Sequence, residues 1–71
     1  LWIHVAASRT AFHADHISRI FVEETGTGAA LKAEIEGKVT MIAYFPSKID
    51  AHAALSTLLE QYEANVRVIR F

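Results

Sequence analysis

Apolar and polar positions alternate along most of this chain, and the places where alternation stops divide it into elements. In residues 2–6, Ile3 and Val5 share a face with Leu1, while Trp2 and His4 share the other, the two-residue period of a strand. Ser8-Arg9 forms a polar break, residues 10–13 suit a short returning strand, and Ala14-Asp15 makes a corner. Residues 16–24 are rich in β-branched and aromatic side chains, which fit a pleated surface. Thr25-Gly26-Thr27-Gly28 is the clearest loop. Residues 29–36 alternate again, with Leu31, Ala33 and Ile35 on one face and Lys32, Glu34 and Glu36 on the other. Gly37-Lys38, glycine first, has the chemistry of a type II′ hairpin turn, and residues 39–45 follow as a strand stopped by Pro46.

The period then changes. Ser47 is placed to cap a helix, with Asp50 three residues on at the positive helix end. At 100° per residue, Ala51, Ala54, Leu55, Leu58, Leu59 and Tyr62 share a face, opposite Asp50, Glu60 and Glu63. The helix should end near Glu63-Ala64, where Asn65 suits a left-handed cap, and residues 66–71 read as a final strand. The expected fold is α+β: an antiparallel β-meander, one amphipathic helix packed on one face, and a C-terminal strand, with residues 1–71 as one domain.

Loop lengths fix an expected register. A four-residue loop at 25–28 sets Val22 opposite Leu31 and Ile20 opposite Ala33. A two-residue turn at Gly37-Lys38 sets Ile35 opposite Thr40, Ala33 opposite Ile42 and Leu31 opposite Tyr44. Both registers select one core face of Ile20, Val22, Leu31, Ala33, Ile35, Ile42 and Tyr44, which the helix can cover. The opposite face then gathers Ile17, Phe21, Val39, Met41, Ala43 and Phe45. One helix cannot cover both sides of a sheet. The second face is therefore either covered by Trp2 and the final strand or used to meet another subunit.

Composition sharpens that choice. Of the 52% apolar residues, twelve are alanines, so the core is small. There is no cysteine, hence no disulfide and no thiolate zinc site. A small core without staples favours self-association, with a dimer as the simplest form, through Ile17, Phe21, Val39, Met41 and Phe45. No run is long and apolar enough to span a membrane. The opening Leu-Trp-Ile-His-Val lacks the basic start and apolar stretch of a secretory leader, which points to the cytoplasm.

Candidate chemistry is sparse. Arg67 and Arg70 alternate with Val68 and Phe71, and with Arg9 they offer a nucleic-acid reading, but a net charge of −1 argues against that partner. His13, Asp15 and His16 have an H-x-x-H spacing with a carboxylate, a metal alternative that only a tight corner would bring together. The serines lack a glycine elbow, and Gly26-Thr27-Gly28 lies between strands rather than before a helix. The expectation is a protein that is not an enzyme and binds no cofactor.

Two stretches carry a resemblance. The spacing of Phe12, Asp15, Ile17 and Ile20, and the run from Tyr44 to Ala51 followed by Ala54-Leu55 and Leu58-Leu59, resemble short stand-alone bacterial proteins of unknown function. That resemblance covers about half the chain. It implies a small sheet-plus-helix protein, often self-associating, with no catalytic residues to transfer. The Asp15-x-Ile17-x-x-Ile20 start is also similar to the LytTR-type DNA-binding domain, whose basic loops are replaced here by Thr25-Gly26-Thr27-Gly28 and acidic neighbours. Ser47-Lys48-x-Asp50-Ala51 is similar to the start of the second helix of RNA-recognition motifs, although the first strand–helix pair and the aromatic platform motif before that helix are missing.

Overall fold

The computed structural model describes residues 1–6 and 9–71. In chain order the elements are β1 (Trp2–Val5), β2 (Thr10–His13), a 3₁₀ turn (Ala14–His16), β3 (Ile17–Glu24), β4 (Ala29–Ile35), β5 (Lys38–Phe45), α1 (Lys48–Glu63) and β6 (Val68–Arg70). Among the described residues the fold is α+β, with a β-meander and one helix. Of the polar break expected at Ser8-Arg9, residue 8 lies outside the described residues.

The strands divide into two three-stranded sheets. The central sheet has the order β3-β4-β5, all antiparallel. The terminal sheet has the order β2-β1-β6, with β2 antiparallel and β6 parallel to β1. The break between the sheets is the 3₁₀ turn, where His13 Nδ1 accepts from the Asp15 amide at 3.2 Å. That side-chain bond satisfies a backbone donor at the turn and lets the chain leave β2 sharply.

The β3–β4 register is the expected one: Ile20 opposes Ala33 and Val22 opposes Leu31. The loop between them is held by the Thr25 hydroxyl, which accepts from the Thr27 and Gly28 amides at 3.3 and 3.0 Å. A Cβ at Gly28 would collide with the Phe45 carbonyl oxygen and meet the Tyr44 hydroxyl at 2.7 Å, so glycine is what lets the loop close over the end of β5.

The β4–β5 register differs from expectation in two ways. The turn residues are Glu36 and Gly37, both with positive φ (52° and 83°), so that Ile35 opposes Lys38 and Ala33 opposes Thr40. Two left-handed residues match the right-handed twist of the strands, and glycine serves best at the second of them. A bulge follows, because Lys32 opposes Met41 while Leu31 opposes Ala43, leaving Ile42 as the extra residue. Ile42 is buried, and the phase of β5 reverses beyond it. Ala43 and Phe45 therefore pack against the core, and Tyr44 faces outward. A similar irregularity at Ser18 turns Ile17 inward, opposite Ile35. Uninterrupted alternation had placed Ile17, Ala43 and Phe45 on the outer face and Tyr44 on the inner one; the two bulges correct all four.

The helix is bounded as its sequence requires. The Ser47 hydroxyl accepts from the Asp50 amide at 3.1 Å. At the other end Asn65 takes φ 59°, the Asn65 amide donates to the Tyr62 carbonyl and the Val66 amide to the Gln61 carbonyl. These paired bonds satisfy carbonyls that the helix would leave open. The helix lies on the inner face of the central sheet, and the inner face of the terminal sheet closes the remaining side. Ile3, Val5 and Ile69 join Leu31, Ala33, Ile42 and Leu58 in one cluster, with Ile3 and Leu31 fully buried. Burying each such side chain is worth about 1.5–3 kcal/mol, so both sheets share the same stabilising core.

Candidate functional site

With the core placed inside, each sheet keeps one outward face. On the central sheet that face is three rows of three. Arg19, Glu34 and Val39 form the first row, Phe21, Lys32 and Met41 the second, and Glu23, Ala30 and Tyr44 the third. The β3–β4 half is ionic. Arg19 Nη2 lies 3.7 Å from Glu34 Oε2, and Lys32 Nζ lies 3.2 Å from Glu23 Oε2. The Arg19 guanidinium also sits over the Phe21 ring at 4.4 Å, a contact between a cation and a π face. Such exposed pairs contribute at most about 1 kcal/mol each, so they position side chains more than they stabilise the fold.

The β5 half is apolar. Val39, Met41 and Tyr44 are 51%, 54% and 47% exposed, and no strand pairs with the far edge of β5 among the described residues. Tyr44 is fixed by its hydroxyl, 2.7 Å from the Thr27 hydroxyl. Of the five residues expected to meet a partner, Phe21, Val39 and Met41 thus stand together, whereas Ile17 and Phe45 pack against the core. Tyr44 takes their place. Its position was hidden because residues 41–45 contain no charged or amide side chain to mark the phase of the strand.

Trp2 and β6 do not cover this face. Both belong to the terminal sheet, where Trp2 pairs with His13 on one side and Val68 on the other, and His4 with Ala11 and Arg70. Trp2 is half exposed there, with the His13 ring edge-on at 5.3 Å. Arg70 is on β6, Arg67 just before it, and Arg9 in the turn before β2 with φ 53°.

The corner of His13, Asp15 and His16 is held by one local hydrogen bond, with a carboxylate near each imidazole. His13 Nδ1, already accepting from the Asp15 amide, lies 3.4 Å from Asp15 Oδ2, and His16 Nδ1 lies 3.8 Å from Glu36 Oε1. The two imidazoles are 6.5 Å apart and nearly perpendicular. Among the described residues, no three His, Asp or Glu side chains are arranged to hold a metal ion.

Two further features complete the surface. An apolar groove of about 250 Å³ runs between α1 and the sheets, lined by Ile17, Ile20, Leu59 and Tyr62 among others. Lys48, in the first turn of α1, donates to Glu24 Oε1 at 2.9 Å. That hydrogen bond first, and the lysine's charge second, hold the Glu24 carboxyl below the usual carboxylate range. Glu24 in turn offsets a cation placed at the positive end of a helix. No helix among the described residues is long and apolar enough to cross a membrane. Comparison with protein-family models, with curated proteins and with solved structures gives no match.

Proposed function

We propose that this chain is a non-catalytic association module that pairs with a second copy of itself through the outer face of the central sheet. The observation that carries the reading is the alignment of Val39, Met41 and Tyr44, each about half exposed, along an edge strand beside Phe21. Large apolar side chains grouped on one face mark an interface more often than scattered ones do.

Charge favours a second copy over an acidic or basic partner. The face holds two cations, Arg19 and Lys32, and two anions, Glu23 and Glu34, already within ion-pair distance of each other. A strongly charged partner gains nothing there. A two-fold related copy offers the same balanced pattern and the same apolar strip, as an isologous contact requires. Polar side chains are all at least partly exposed among the described residues, so none sits in the buried setting that tunes an acid or base for catalysis.

The size of the face sets the strength. Three strands about 4.8 Å apart and about seven residues long at 3.4 Å each give about 350 Å² per protomer. A standard stable interface uses about 800 Å² per partner, so the expected dimer is reversible and grows with concentration. An NMR dilution series tests the location. Resonances of Val39, Met41 and Tyr44 should move with concentration while the Trp2 indole stays fixed. Shifts confined to the terminal sheet or to the α1 groove would overturn the reading.

A further inference from the structure

The terminal sheet differs from the rest of the molecule in a way that the whole-chain charge conceals. Residues 1–13 and 66–71, which supply β1, β2 and β6, contain three arginines, two histidines and no aspartate or glutamate. All eight acidic residues lie within residues 14–65, against four Lys/Arg there. The two sets carry +3 and −4, which together make the net −1. Folding brings that set to one sheet and its flanks, because β6, which carries Arg70, returns to pair with β1.

The outer face of that sheet combines this charge with an aromatic ring. Trp2 stands half exposed beside Val68, and His4 lies next to Arg70, around a shallow cavity of about 240 Å³ that Ala11 completes. Arg67 flanks the Trp2 end, where its carbonyl accepts from the Trp2 amide at 2.7 Å. Arg9 flanks the other end, where its amide donates to the Ala6 carbonyl at 3.2 Å. Arg67 shares its end with Asp15, which lies 3.4 Å from His13, whereas Arg70 pairs with His4 on the outer face itself.

We infer that the outer face of the terminal sheet binds single-stranded nucleic acid, with Trp2 stacking on a base and Arg70 and Arg9 meeting the phosphates. An exposed indole on an open sheet offers a π face to any unpaired base, and cations spaced along it follow the backbone. A duplex keeps its bases stacked on one another, and this face presents neither a helix nor a protruding ribbon to enter a groove. The surface is separate from the central-sheet face, so a dimer formed there leaves it open.

Trp2 is the chain's only tryptophan, so its fluorescence reports the site directly. Titration of the 71-residue chain with a deoxythymidine oligonucleotide about ten nucleotides long should give saturable quenching at low salt. Two phosphate contacts give a slope of log affinity on log salt near −1.4, roughly −0.7 for each. With a labelled oligonucleotide and anisotropy readout, Trp2→Ala should weaken binding about tenfold or more, and Trp2→Phe should largely retain it. Arg70→Gln should flatten the slope by roughly 0.7. Arg70→Lys should keep the slope, which separates lost charge from lost fold. Lys38→Gln, at the start of β5 and opposite Ile35 rather than on the association face, should leave oligonucleotide binding unchanged. No quenching at low salt, equal quenching by a duplex of the same length or by phosphatidylserine vesicles, or wild-type binding by Trp2→Ala would each overturn the proposal.

Discussion

The two sheets share one core yet are built and charged differently. The central sheet is a run of neighbouring strands seven or eight residues long, whose outer face pairs its cations with its anions and ends in an apolar edge. The terminal sheet is made of strands of three or four residues drawn from distant parts of the chain, and its outer face is aromatic and cationic. Local hairpins can fix a long sheet early, whereas β6 must find β1 across almost the whole chain. The short sheet is held by what it buries. Ile3, Val5 and Ile69 tie it to Leu31 and Leu58, so it depends on the central sheet for its inner contacts.

The largest expected effects test that shared core. Leu31→Ala in the central sheet and Ile3→Ala in the terminal sheet each remove a fully buried side chain from the same cluster. Each should cost about 2–5 kcal/mol. Thermal unfolding followed by circular dichroism should show one transition moved down in both variants. Two separated transitions in Ile3→Ala would mean that the sheets unfold independently.

A smaller effect should be confined to the central sheet. Gly28→Ala drives a methyl group toward the Phe45 carbonyl and the Tyr44 hydroxyl, and overpacking of this kind costs about 1–3 kcal/mol. Amide exchange should quicken in the 25–28 loop and at the end of β5, with the terminal sheet little changed. Uniform quickening would show that the two regions are less separable than the close approach at Gly28 implies.

The smallest effect is electrostatic. Lys48 lowers the Glu24 carboxyl below its ordinary range, so the pair contributes stability above the unfolded carboxylate pKa and loses it as pH falls through the folded one. Both side chains are exposed, and the contribution is correspondingly slight. The melting temperature of Glu24→Gln should fall just below wild type at neutral pH and converge with it in acid. A gap that widened on acidification would have the wrong sign for this pair.

How much of this was legible in the sequence follows from where local chemistry determined position. The β3–β4 register was readable because Thr25-Gly26-Thr27-Gly28 marks both ends of its loop, and the helix ends because Ser47 and Asn65 act through their own backbone neighbours. The β4–β5 register was not. Glu36 adopts a left-handed conformation that its side chain does not favour, and Ile42 forms a bulge inside a run with no polar marker. The turn slid the pairing by two residues and kept every side chain on its face, whereas the bulge at Ile42 took Phe45 off the outer face and put Tyr44 on it. Ile17 left through the separate irregularity at Ser18. The cationic character of the terminal sheet is hidden in the sequence for a different reason: a net charge averages over surfaces that the fold keeps apart.

The central claim is that the apolar strip of Val39, Met41 and Tyr44 joins two copies. Its most direct test is molar mass by light scattering on a sizing column over two decades of concentration, for wild type and Met41→Glu side by side. Met41 is exposed in the chain itself, so the substitution should leave the fold intact. It should, however, place like charges across the contact. The account predicts a wild-type mass that rises from 7.9 kDa toward twice that value with concentration, and a Met41→Glu mass that stays at the monomer. A wild-type monomer throughout, or a dimer that Met41→Glu leaves unchanged, would contradict it.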